Sequence, residues 1–389
     1  MKKLISVCLS SIFFLAVFRP LMGAAEEQGL KLAEQSRAAL LMERDTGTIL
    51  FEKNSHEALP PASMTKVMSL LLIMEALDEG KLKLNEKVRT SEYAASMGGS
   101  QIFLEAGEEM TVDELIRAIA VASANDATVA LAERIAGSEE NFVRMMNEKA
   151  KELGLKNTRF QNSTGLPAEN HYASAYDMAV MAKELLKHEN ITKYTGIYES
   201  YLRENTDKKF WLVNTNRLIR FYPGVDGLKT GYTSEAKYCL TATAKKGNMR
   251  VIAVIFGAPT TKERNKQIAQ MLDYAFYQYE KKTFLAKNAP VDQVTVERGE
   301  RRKIPAVTAG ELSVLHKKGE KLEGVSRVVK IKDRLKAPIK KGDPVGEVAL
   351  VKDGRVLSKS PLIAGENTGK ASFWTTFQRM MGQFTKLQN

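Results

Sequence analysis

The sequence predicts an α+β domain built on an antiparallel sheet, then a small all-β domain, then an amphipathic tail helix. Three observations lead there. Strand-like runs lie near both ends of the first 285 residues with helical stretches between them, so the sheet pairs segments distant in the chain. From about 286 to 362, short β runs alternate with turn signals, among them Lys341-Gly342-Asp343 and Asp353-Gly354. After Gly365, apolar residues recur at helical spacing. At 389 residues the chain is long enough for more than one core.

Taken in order, the N-terminus reads as an export signal. Lys2 and Lys3 precede an apolar run, Leu4 to Val17, and Gly23-Ala24-Ala25 supplies small residues before Glu26 and Glu27. That run is short for a membrane span and suits a secretory signal over residues 1–25. Cys8 falls inside it without the small-residue context of a lipoprotein site. Removing the segment leaves Cys239 alone, so no intramolecular disulfide is expected. The fold then depends on its apolar cores.

Ala38 to Met42 and Thr48 to Phe51 form a strand pair turned through Asp45-Thr46-Gly47. Pro60-Pro61 breaks the chain. A helix from about Ser63 to Leu77 is apolar nearly all round, which places it inside a domain. Helices over Val112–Val121 and Asp126–Ile135 flank Ser123, and residues 142–153 and 175–187 are amphipathic. Leu228-Lys229-Thr230 reads as a short strand. Tyr238–Ala244 and Arg250–Phe256 form a hairpin turned near Lys246-Gly247-Asn248, and a helix from Lys262 to Tyr279 closes the domain. In the tail, residues 366–389, Phe373, Trp374, Phe377, Met380, Met381, Phe384 and Leu387 share one helical face with Lys370, Arg379 and Lys386 nearby. That pattern is expected of a helix lying in a membrane interface; the alternative is a helix docked on its own domain.

The formal charge is +12; losing Lys2, Lys3 and Arg19, with no acid before Glu26, leaves +9. Such an excess favours anionic surfaces. The basic residues are spread along the chain without a nucleic-acid-binding signature, so no nucleic-acid partner is expected. Four His without HxH or HExxH spacing do not suggest a metal, and no cofactor is expected.

Three motifs carry the chemistry: Ser63-Met64-Thr65-Lys66, Ser123-Ala124-Asn125 and Lys229-Thr230-Gly231. A second Ser-X-X-Lys, Ser234-Glu235-Ala236-Lys237, sits in a loop. Ser63 instead follows two prolines and opens the buried helix, which puts Lys66 one turn on, on the same face. Together the motifs make the sequence resemble the penicillin-recognising serine acyltransferases. The likeness is greatest to low-molecular-weight D-alanyl-D-alanine carboxypeptidases, and among them to the sporulation-associated DacF type of bacilli.

The resemblance implies a β-lactamase/transpeptidase-like domain over residues 26–285, a β-rich domain over 286–362, and a membrane-anchoring tail helix. It also implies removal of the terminal D-alanine from peptidoglycan pentapeptides through a serine acyl-enzyme, with β-lactams as inhibitors. The protein would sit on the outer face of the cytoplasmic membrane. A serine hydroxyl needs a base. Lys66 can be that base if burial beside Lys229 keeps it neutral. Ser123 would pass the proton to the leaving nitrogen, and Asn125 would hold the substrate amide. Backbone N–H groups of Ser63 and Tyr232 would form an oxyanion hole. Lys229 and Thr230 would bind the terminal carboxylate, while Gly231 lets the strand come close. Arg264 matches an arginine near that carboxylate in related enzymes, and Tyr232 stands where some relatives have His.

The rivals are an endopeptidase or transpeptidase on the same scaffold, a β-lactamase, and a wall-binding protein without activity. The β-lactamase reading would need a carboxylate-held water. Glu169 is the conceivable residue, but its setting, Pro167-Ala168-Glu169-Asn170, is a polar loop.

Overall fold

The computed structural model describes residues 31–384; the expected signal segment 1–25 and tail residues Lys386 and Leu387 lie outside the described residues. Its main sheet has five antiparallel strands. β1 (Ala38–Glu43) pairs with β2 (Ile49–Lys53) on one side and, at the other, with a strand from the far end of the domain. Between them the chain forms α1 (Lys66–Asp78), α2 (Val112–Arg117), α3 (Asn125–Ala136), α4 (Glu139–Glu152) and α5 (Ala175–Leu185). It then returns as β3 (Val225–Thr233), β4 (Lys237–Lys246) and β5 (Met249–Ala258), followed by α6 (Thr261–Gln278). The strand order is β2-β1-β5-β4-β3, so β3 is an edge strand.

β1 reads as a continuous apolar run because both its faces are covered. Ala38, Leu40 and Met42 face the core that holds α1, α3 and α5, while Ala39 and Leu41 face the core under α6. The alternation repeats in β5, where Ile252, Val254 and Phe256 face the first core and Val251, Ala253 and Ile255 the second. Each fully buried Leu or Ile here contributes about 1.5–3 kcal/mol through loss of water contact. α1 is the central helix of the first core, with every residue from Lys66 to Met74 buried.

Helix starts follow local chemistry. Thr111 and Glu114 form a capping box on α2, and the side chains of Ser138, Ser174 and Thr260 accept N–H groups at the starts of α4, α5 and α6. One expectation is corrected. Ser63 does not open an α-helix: it lies in a 3-10 turn, Ala62–Thr65, and α1 begins at Lys66. Ala62 enters this turn with φ +47° directly after the two prolines. The helix ending in Val121 is also split, its last turn, Ala118–Ala122, being a π-helix.

The β-rich part has a six-stranded sheet in the order Ser326–Ile331, Pro344–Lys352, Arg355–Ala364, Lys303–Thr308, Pro290–Glu297, Leu335–Lys336. Val294, Ile304, Val348, Leu350 and Leu362 form its core. A further pair joins Tyr279–Leu285 to Leu312–Lys317. The end of α6 thus runs straight into a strand, Tyr279–Leu285, that pairs within the β-rich part. The buried Lys281 ammonium fixes the junction, binding Asp45 and, at 3.0 Å, Glu311.

The tail helix α7 (Phe373–Phe384) exposes Phe373, Trp374 and Phe377 by 82%, 64% and 44%. Arg379 fastens it to the β-rich part by donating to the carbonyls of Gly299 (2.7 Å) and Glu300 (2.6 Å). No helix among the described residues is long and apolar enough to cross a membrane.

Candidate active site

The three motifs meet at the edge of the sheet. A 3-10 turn nearly eclipses residues i and i+3, which sets Lys66 over Ser63, with Nζ 3.2 Å from Oγ. Lys66 is fully buried, and Nζ also donates to Asn125 Oδ1 (2.6 Å) and to the Thr164 carbonyl (2.7 Å). Burial holds its pKa well below the usual lysine range; the nearby Lys229 charge adds to this, and Asp126 and Glu139 oppose it.

Ser123 follows the π-helical turn in a left-handed conformation, φ +66°, a position that costs a residue bearing Cβ about 1–2 kcal/mol. Its Oγ is buried, with no hydrogen-bond partner among the described residues. Such a donor is costly unless another group meets it. Both ends of the Asn125 amide are engaged by protein, Oδ1 by Lys66 and Nδ2 by the Gly98 carbonyl at 2.7 Å. Asn125 is thereby fixed beside Lys66 at the cleft.

β3 closes the site. Lys229 is buried, its Nζ 3.2 Å from the Thr230 carbonyl, and burial, then Arg264, brings its pKa down to about 7. Gly231 is needed for close approach: a Cβ there would lie 2.7 Å from the Pro61 carbonyl and 3.2 Å from the Met64 nitrogen. Its tight neighbour is the turn that carries Ser63. Tyr232 is exposed and its ring packs on Tyr238, centroids 4.5 Å apart and tilted by 33°. Arg264, in the first turn of α6, is buried against Asn265 Oδ1 (3.1 and 3.0 Å). Burial lowers its pKa to about 10, so it stays a cation at neutral pH.

Ser63, Ser123, Thr230, Gly231, Tyr232 and Arg264 line one cleft of about 450 Å³. Larger cavities of about 600, 710 and 510 Å³ gather none of these groups. The duplicate motif Ser234–Lys237 lies in the turn and strand start after β3, away from this convergence. Glu169 lines the neighbouring 600 Å³ cavity and is exposed, its carboxylate accepting only a 3.5 Å contact from Asn170.

Several positioning residues have no motif to announce them. Thr215 accepts a hydrogen bond from Thr230 Oγ1 (2.7 Å) and donates its N–H to the Val121 carbonyl (3.2 Å). His171 Nδ1 accepts from the Gln161 N–H, so its Nε2–H donates to Thr65 Oγ1 at 2.8 Å; burial lowers its pKa to about 4. Gly165 (φ +84°) packs so closely on the turn that a Cβ would come within 1.8 Å of the Ala62 carbonyl. Asp126 takes the N–H groups of Ile102, Leu104 and Ala127, shaping the loop that brings Ser100 to the cleft. Its place beside Asn125 was the one available signal. Among the described residues no cluster of three or more His, Cys, Asp or Glu is arranged to hold a metal.

Residues 24–260 match the D-alanyl-D-alanine carboxypeptidase family, and residues 279–370 match the family of the penicillin-binding protein 5 C-terminal domain. The D-alanyl-D-alanine carboxypeptidase DacF of Bacillus subtilis is 60% identical over 390 residues, all of both chains. DacC of Escherichia coli is 35% identical over 93% of this chain and 91% of that one. Among solved structures, penicillin-binding protein 5 of Haemophilus influenzae has a TM-score of 0.69 and 31% identity over 86% of this chain and 98% of that chain. Penicillin-binding protein D2 of Listeria monocytogenes, in an ampicillin-bound form, has a TM-score of 0.54 and 31% identity, covering 64% of this chain and 98% of that one.

Proposed function

This chain belongs to the D-alanyl-D-alanine carboxypeptidase family, and from that premise we propose how its residues divide the work. It is a serine-type carboxypeptidase acting on the D-alanyl-D-alanine end of peptidoglycan stems. Ser63 is the nucleophile and Lys66 its base. As Ser63 Oγ bonds to the penultimate carbonyl carbon, Lys66 takes the hydroxyl proton, and the Ser63 and Tyr232 backbone N–H groups receive the developing oxyanion. Ser123 relays that proton to the nitrogen of the departing D-alanine; the C–N bond breaks and an ester remains on Ser63. Water, deprotonated in turn by Lys66, hydrolyses the ester. Lys229, Thr230 and Arg264 bind the terminal carboxylate, and Asn125 orients Lys66.

The observation that carries this reading is the buried Lys66 amine 3.2 Å from Ser63 Oγ. A lysine in water is an ammonium and no base; one kept neutral by burial is. The unpartnered Ser123 Oγ supports the relay, since an incoming leaving group would supply its missing partner.

The test is D-alanine release from an acyl-Lys-D-Ala-D-Ala peptide, with Ser63→Ala as control and labelled penicillin in parallel. Release lost in the variant, with slow covalent labelling of the wild type, is the expected result. Stable labelling without release would point to a transpeptidase, and rapid penicillin turnover to a β-lactamase.

Residues 1–25 serve as an export signal and α7 as a peripheral membrane anchor on the outer face. The exposed Phe373, Trp374 and Phe377 support the anchor, since such a stripe is costly in water. A chain ending after Ala371 that still sediments with membranes would refute it.

A further inference from the structure

The acids are spread at a similar density along the chain; the cations are not. Residues 31–278 contain 32 Lys and Arg against 32 Asp and Glu, so the part bearing the active site has no net charge. Residues 279–389 contain 23 against 12, a surplus of 11 out of the formal +12. The charge belongs to the β-rich part and the tail.

Much of it gathers at one end of that part. Residues 367–371, leading into α7, lie between two turns. On one side the Ala371 N–H donates to the Arg298 carbonyl and the Glu300 N–H to the Gly369 carbonyl, both at 2.8 Å. On the other, Ile339 bridges to Thr368 and the Lys341 N–H donates to Asn367 Oδ1 at 2.7 Å. Lys336 joins the patch through the pairing of its strand with Val296–Glu297. Arg298, Arg302, Lys336, Lys340, Lys341 and Lys370 are all exposed there, and among the described residues no ion pair engages them. Of the acids nearby, Glu366 is held by Arg301, and Asp343 accepts the Lys340 N–H. Glu297 and Glu300 leave the cluster strongly positive. α7, with its exposed aromatic residues, follows directly on this cluster and is tied to it by Arg379.

We propose that this foot of the β-rich part is itself a docking surface, which seats on the anionic phospholipid headgroups of a bilayer around the root of α7. The inference rests on the anchor reading of α7 and adds lipid selectivity to it. The aromatics fit the acyl–headgroup boundary of any bilayer, whereas fixed cations distinguish an anionic surface from a zwitterionic one. Continuity of the cluster with the aromatic stripe favours a bilayer over a soluble polyanion, for which the stripe has no use.

The test uses the chain from Glu26, which retains every described residue, with vesicles of pure phosphatidylcholine and of phosphatidylcholine mixed with phosphatidylglycerol. Each basic residue near an anionic surface is worth about fivefold in partitioning. The triple variant R298Q/K340Q/K341Q should therefore bind the anionic vesicles about a hundredfold more weakly. It should keep the wild-type affinity for the zwitterionic ones and wild-type peptide cleavage in solution. High salt should remove the wild type's preference for anionic vesicles. A triple variant that still prefers anionic vesicles as the wild type does overturns the proposal. So does a wild type that shows no such preference but binds poly(glycerol phosphate) in a way the triple variant loses. The variant F373S/W374S tests the anchor separately: it should lose zwitterionic binding, and if it does not, the anchor reading fails while the charge comparison still stands or falls by itself.

Discussion

Thr230 Oγ1 donates to Thr215 Oγ1 across 2.7 Å, and the Thr215 N–H reaches the Val121 carbonyl just before Ser123. One residue outside all three motifs thus ties the strand of Lys229 to the turn of Ser123. Thr215→Val keeps the shape but removes the acceptor. A hydrogen bond of this kind is worth about 1 kcal/mol, so kcat/KM for the D-Ala-D-Ala peptide should fall about fivefold, mainly through KM. Penicillin acylation should slow in parallel, and Thr215→Ser should restore both.

As the proposed base, Lys66 is a neutral amine. Lys66→Arg puts a permanent cation in its place, because guanidinium does not deprotonate. Acylation by labelled penicillin should fall by about 10²–10⁴ while the fold, followed by circular dichroism, persists. Retention of wild-type acylation would exclude Lys66 as the base.

Asn125→Asp places an anion 2.6 Å from Lys66 Nζ where a neutral amide stood. A nearby negative charge favours the ammonium, so the Lys66 pKa should rise. The acid limb of the kcat/KM profile should move to higher pH, while the rate at the alkaline plateau changes less. A wild-type profile in this variant would mean the limb belongs to another group.

Lys229 has its pKa lowered to about 7 from the ordinary 10.5. In the free enzyme it loses its charge as pH rises through about 7, and peptide binding should weaken there; Lys229→Arg should move that limb upward. The stability sign follows from linkage. Between about pH 7 and 10 the unfolded chain binds the extra proton, so stability rises with pH across that window. Lys229→Met removes the buried cation and should raise Tm more at pH 6 than at pH 10, though activity is lost.

Gly165→Ala would press a Cβ to 1.8 Å from the Ala62 carbonyl at φ +84°. The strain exceeds about 1 kcal/mol and falls on the turn that carries Ser63. Tm should drop, and penicillin labelling of the protein that remains folded should slow. Gly154→Ala, with nothing within 4 Å of its Cβ and φ +70°, is the control: it should lose stability without slowing the labelling.

Sequence alone determined the elements with strong periodicity and the residues whose chemistry is unusual in combination. The strand β1, the apolar helix α1 and the hairpin β4–β5 were legible because burial on every face leaves a continuous apolar run of strand or helix length. The three motifs were legible because Ser, Lys and a Gly-bearing strand at those places serve no ordinary structural need. Tertiary structure decided what depends on distance between separated segments. Only folding put Thr215 against Thr230, His171 against Thr65 and Gly165 under Ala62; these single contacts span from 15 to more than 100 residues and leave no period in the chain. It likewise decided that Ser63 lies in a 3-10 turn, since packing of Gly165 and Gly231 on that turn, not helix propensity, sets its conformation. The depressed pKa of Lys66 stands between the two: its apolar helix already implied burial, while the assembled core supplies the Lys229 charge beside it.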